Sequence, residues 1–62
     1  MTDLDLSIHF ERWHSGTNQY KKYRMNHRKM VQRNGQVSYY DHRVNWAWLA
    51  FKGSYNYFTN IG

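Results

Sequence analysis

The chain has 62 residues, nine Lys and Arg against four Asp and Glu, no proline and no cysteine, for a formal net charge of +5. One small domain fits that length, disulfide stapling is excluded, and so few carboxylates leave little material for acid–base catalysis. The positive excess favours polyanionic partners, and twelve aromatic residues must supply most of the core, at about 150–250 Å² buried per large ring.

The first segment, TDLDLSIHFERW, fits two periods. Leu4, Leu6, Ile8 and Phe10 alternate as in a half-buried strand, whereas Leu6, Phe10 and Trp13 follow helical spacing. Thr2 ahead of Asp5 resembles a capping box, and Asp3 and Asp5 suit the positive end of a helix dipole. A helix is therefore predicted over about 3 to 14.

The middle segment, YKKYRMNHRKMVQR, carries Lys21, Lys22, Arg24, Arg28, Lys29 and Arg33 with no carboxylate among them. Two readings stand. Tyr20, Tyr23, His27, Met30 and Val31 recur at helical steps, with Gly35 as the capping glycine. Alternatively, Asn34-Gly35 forms a two-residue type I′ turn joining strands, which also accounts for Val37, Tyr39 and Tyr40.

The third segment opens on Asp41 as an N-cap and places Val44, Ala47, Trp48, Phe51 and Tyr55 on one helix face. Trp46 and Leu49 point the other way, so this helix is apolar on more than one side. Gly53 is read as its end, with SYNYFTNIG folding back as a strand or last helical turn. The expected fold is a small α+β or mostly α single domain. Two aromatic helices, about 3–14 and 41–53, pack Phe10 and Trp13 against Trp48 and Phe51 around the basic segment, which is a helix or a short hairpin at Asn34-Gly35.

FERW near the start, NGQVSYYD as a connector and VNWAWLAF near the end resemble a pattern in small accessory proteins of tailed phages and prophages. Its positions are Phe10, Glu11, Trp13, Gly35, Tyr39 or Tyr40, Val44, Ala47 and Trp48. The resemblance covers about 40 residues and implies a phage-encoded accessory protein without catalytic residues. The basic middle departs from the pattern.

Two functions follow. In the first, Lys21, Lys22, Arg24, Arg28, Lys29 and Arg33 neutralise phosphates of DNA or RNA, and Tyr20 and Tyr23 stack on bases. The bland counterpart is a solvated face whose tyrosines serve the core. In the second, Arg43, Trp46, Tyr55 and Tyr57 dock on a host protein, acidic where it meets the cations. His9, His14, His27 and His42 lack ligand spacing and are expected to be partly exposed, adding charge at low pH. No cofactor, metal or enzymatic activity is expected. A cytoplasmic location away from membranes is, and a homodimer is one way to supply missing core.

Overall fold

In the computed structural model, which describes residues 2–61 and the side chains through Thr59, the elements run α1 (Asp3–Ser15), α2 (Asn18–Lys22), β1 (Lys29–Val31), β2 (Val37–Tyr39) and α3 (His42–Ile61). The two expected aromatic helices are α1 and α3, and the hairpin lies between them.

The Thr2 hydroxyl accepts the Asp5 backbone N–H at 3.2 Å, which settles the ambiguous first segment as helix. A single threonine then separates two elements. The Thr17 hydroxyl donates to the His14 carbonyl at 2.7 Å, closing α1, and accepts the Tyr20 N–H at 3.3 Å, opening α2. The long helix considered for the middle segment does not form. After Lys22 the backbone reverses at Arg24, with φ 50°, while the Met25 N–H reaches back to the Tyr20 carbonyl at 3.1 Å. That is a Schellman stop with arginine where glycine usually sits.

The hairpin pairs Lys29 with Tyr39, Met30 with Ser38 and Val31 with Val37. Its turn differs from the two-residue type I′ expectation. Gly35 has φ 84° but Asn34 stays at negative φ, and the bonds Gly35 N–H to Gln32 carbonyl (2.9 Å) and Gln32 N–H to Gln36 carbonyl (2.8 Å) enclose three residues. Gly35 thus takes the single left-handed position of a three-residue loop. The free edge of β1 is short and flanked by Arg28 and Arg33, which discourages edge pairing.

The edge of β2 facing away from β1 is covered by the helices. Asp3 Oδ2 accepts the Val37 N–H at 3.2 Å, Asn45 Oδ1 accepts the Tyr39 N–H at 3.0 Å, and Trp48 Nε1 donates to the Val37 carbonyl at 2.8 Å. Both helices thus replace a missing third strand, satisfying backbone groups that burial would otherwise leave unpaired. Lys52 closes the arrangement by an ion pair to Asp3 at 2.8 Å.

The core comprises Leu6, Phe10, Val37, Tyr39, Val44 and Trp48, with Met25, Ala47, Phe51 and Tyr55 packed against it. Phe10 and Trp48 are fully buried, and the Phe10 ring lies 5.5 Å from each of Tyr39, Trp48 and Phe51. Trp13 stacks on Phe51 at 5.9 Å. The rings interleave as the spacing predicts, each pair adding about 0.5–1.5 kcal/mol beyond area burial.

Asp41 caps α3 by accepting the Arg43 N–H at 3.0 Å. The helix does not end at Gly53 as read from sequence. Gly53 has no left-handed φ, and α3 continues to Ile61, carrying Tyr55 one turn beyond Phe51 on the core side. A Cβ at Gly53 would meet nothing within 4 Å, so no contact inside the chain requires glycine. It weakens the helix by about 0.5–1 kcal/mol relative to alanine.

Candidate nucleic-acid interface

The six cations of the middle segment part company. Lys21 and Lys22 ride on α2, Arg24 holds the reversal after it, Arg28 leads into β1, and all four are exposed. Arg33 is exposed at the hairpin tip, with β1 between it and Arg28. Lys29 turns inward instead. Its Nζ lies 2.7 Å from Glu11 Oε2 and 3.1 Å from Ser7 Oγ, half-buried between the hairpin and α1, so its charge is already matched.

The same carboxylate oxygen accepts the Tyr39 hydroxyl at 2.8 Å. Burial raises the Glu11 pKa, but the hydrogen bonds from Lys29 and Tyr39 outweigh it and leave the group below its ordinary value of 4.5. The Tyr39 phenol is pushed well above its ordinary range, first by burial and then by donating to that carboxylate. This is a structural network, and Lys29 leaves the candidate site for that reason.

Tyr20 also belongs to the interior. Its half-buried ring stacks on His27 at 4.6 Å and meets His14 edge-on at 5.3 Å, while His14 Nδ1 and His27 Nε2 are 2.9 Å apart. The expectation of partly exposed, readily charged histidines fails for these two. His14 is buried, His27 half-buried, and desolvation lowers both pKa values below 6.5. His9 and His42 are exposed. Among the described residues no group of three or more metal-ligating side chains gathers.

Two tyrosines stay outside, each beside a cation. Tyr23 is 51% exposed with Lys22 Nζ 5.4 Å from its ring centre, and Tyr40 is 58% exposed with Arg28 Cζ 5.2 Å from its ring centre. Arg43 connects their neighbourhoods. Its guanidinium makes a two-point contact with Asp41, Nε to Oδ1 at 3.1 Å and Nη2 to Oδ2 at 2.8 Å, and Nη1 donates to the Tyr23 carbonyl at 3.4 Å. That hydrogen bonding holds Asp41 below its ordinary pKa, so the arginine is partly neutralised in place.

Lys22 with Tyr23 and Arg28 with Tyr40 thus form two exposed cation–aromatic pairs joined through Arg43, with Arg24 exposed next to Tyr23 in the chain, and no pocket opens among the described residues. Tyr40 is the member that sequence reading missed. Its signal was the strand alternation, which buries Val37 and Tyr39 and turns Tyr40 outward, with its N–H on the Arg28 carbonyl at 3.0 Å.

The proposed protein-docking residues divide similarly. Arg43 joins the basic face, Tyr55 is half-buried against the core, and Trp46 and Tyr57 are exposed at 74% and 63%. Phe58, not singled out from sequence, is exposed beside Tyr57. No described helix is long and apolar enough to cross a membrane. No protein-family model, curated protein or solved structure matches the chain.

Proposed function

We propose that this protein binds single-stranded nucleic acid, without catalysing a reaction on it, through the face built by Lys22, Tyr23, Arg24, Arg28, Tyr40 and Arg43. The supporting observation is the pair of exposed tyrosine rings, each with a cation 5.2–5.4 Å from its centre, on elements linked by Arg43. An unpaired base has a π-face that stacks on such a ring, at about 1–3 kcal/mol per base, while neighbouring cations meet the phosphates. Duplex DNA hides those base faces. A surface that opens no pocket among the described residues suits a flexible strand better than a small molecule. The accessory role in a phage rests on the FERW and VNWAWLAF pattern alone.

The test is anisotropy of labelled single-stranded DNA, single-stranded RNA and duplex DNA across a salt series. About four phosphate contacts give a log–log slope of about −3 on a single strand, with weaker binding to duplex. Charge reversal by Lys22→Glu with Arg28→Glu abolishes binding. Absence of binding at low salt, or affinity unchanged by those reversals, refutes the reading. Capture of an acidic protein from nuclease-treated lysate, lost on charge reversal but kept by Tyr23→Ala with Tyr40→Ala, would replace nucleic acid by protein as the partner.

A further inference from the structure

We propose that the outward face of α3 is a self-association surface, on which a second copy of the chain packs its own α3 antiparallel about a two-fold axis near Gly53.

On a regular helix Trp46, Leu49, Ala50, Gly53 and Tyr57 share one side, opposite Val44, Trp48, Phe51 and Tyr55. Trp46 and Tyr57 are exposed, and Leu49 is 49% exposed. Beyond Arg43 the only charged residue of α3 is Lys52, and its ammonium is turned to Asp3. The stripe itself is therefore uncharged on a chain of net charge +5, whose exposed cations are Arg12 on α1, Lys21, Lys22 and Arg24 on and after α2, Arg28 and Arg33 about the hairpin, and Arg43 at the start of α3. Two copies meeting on its five positions bury no charged side chain of the stripe. A polyanionic partner, by contrast, would find nothing on this stripe to neutralise.

Two further observations select a second copy. Gly53 weakens the helix although nothing inside the chain fills the space of a Cβ, so its use lies in a backbone approaching from outside, with Ala50 beside it. The stripe is also self-complementary: Leu49 and Tyr57 stand four residues either side of Gly53, so an antiparallel two-fold sets Leu49 of one copy against Tyr57 of the other.

Sedimentation velocity over a micromolar to submillimolar range tests this directly. The expected result is a monomer–dimer equilibrium that Trp46→Glu with Leu49→Glu shifts to monomer, and whose dissociation constant Gly53→Leu raises at least about tenfold, as one helix-interface crossing is blocked. These positions face solvent, and circular dichroism confirms that each variant folds. Because the chain has no cysteine, Gly53→Cys supplies a unique thiol. Mild oxidation should link it into a covalent dimer, whereas Ile8→Cys on α1 stays monomeric. A wild-type monomer at every concentration overturns the proposal. So does a dimer indifferent to the α3 variants, or equal cross-linking at both cysteines. Capture of a different protein by a strictly monomeric chain, lost on Trp46→Glu, also overturns it and assigns the stripe to that partner.

Discussion

His14 Nδ1 and His27 Nε2 face one another at 2.9 Å inside a cage of Phe10, Tyr20 and Tyr39 rings. Such a contact needs one ring N–H opposite one bare nitrogen, so both rings cannot be protonated while it persists. Burial lowers both pKa values, and although Glu11 favours the charged form of His27, His14 and Lys29 oppose it. The unfolded chain takes up protons as pH falls below about 6.5 and the folded chain resists, so stability is full above that pH and lost below it. Each pH unit by which a ring is depressed costs about 1.4 kcal/mol. Thermal unfolding between pH 7.5 and 5 checks this, with Tm falling in the wild type and falling less in His27→Leu.

Lys29 and Glu11 form the test that separates architecture from binding. Replacing Lys29 by methionine removes a charged hydrogen bond from a half-buried carboxylate, worth about 1.5–3 kcal/mol, or roughly 6–24 °C in Tm for a domain of this size. Nucleic-acid affinity should hold within about threefold, because this cation is not on the exposed face. Arg28→Ala gives the reverse pattern, with affinity lost and Tm little changed. Denaturation curves and binding isotherms on the same variants compare the two. In acid the Glu11 contribution behaves as a depressed carboxylate should, present above pH 4.5 and disappearing as pH falls through the folded value.

Arg24 is an arginine at φ 50°, a conformation that costs an ordinary L-residue about 1–2 kcal/mol and glycine almost nothing. Arg24→Gly relieves that strain, offset in part by the greater freedom of glycine in the unfolded chain, for a net gain of about 0.5–1 kcal/mol. The checks are a higher Tm and a weaker salt dependence of nucleic-acid binding, since one phosphate contact is lost. Unchanged salt dependence would remove Arg24 from the interface.

Arg24 also marks where the sequence stopped being readable. The helices at either end were legible because Thr2 and Asp41 cap them and Phe10, Val44, Trp48 and Phe51 keep a helical period. Between them Tyr20, Tyr23 and His27 have helical spacing too, yet the helix stops after one turn, since ending it depends on a left-handed arginine that no propensity announces. Gly53 misled in the opposite direction. Its cost to the helix is small beside the burial continued by Tyr55, so tertiary packing carried α3 through it. Within the site, exposure of the cations was legible from composition, but the diversion of Lys29 was not. Its partners Glu11 and Ser7 lie 18 and 22 residues away, and only the hairpin register brings them together.

Tyr40 provides the sharpest check on the proposed binding mode, because its ring lies outside the core beside Arg28 and its backbone alone takes part in the hairpin. Tyr40→Phe keeps a π-face and should leave affinity for a single strand within about twofold. Tyr40→Ala removes the stacking platform and should weaken it by roughly 5- to 150-fold, the equivalent of about 1–3 kcal/mol. Charge is the same in all three proteins, so the salt slope should not change while the intercept falls. Tyr39→Phe supplies the contrast: it deletes the hydroxyl bonded to Glu11 and lowers Tm without touching the exposed face. Equal loss of affinity in Tyr40→Phe and Tyr40→Ala would mean that the hydroxyl, not the ring, makes the contact, and base stacking at this position would be wrong.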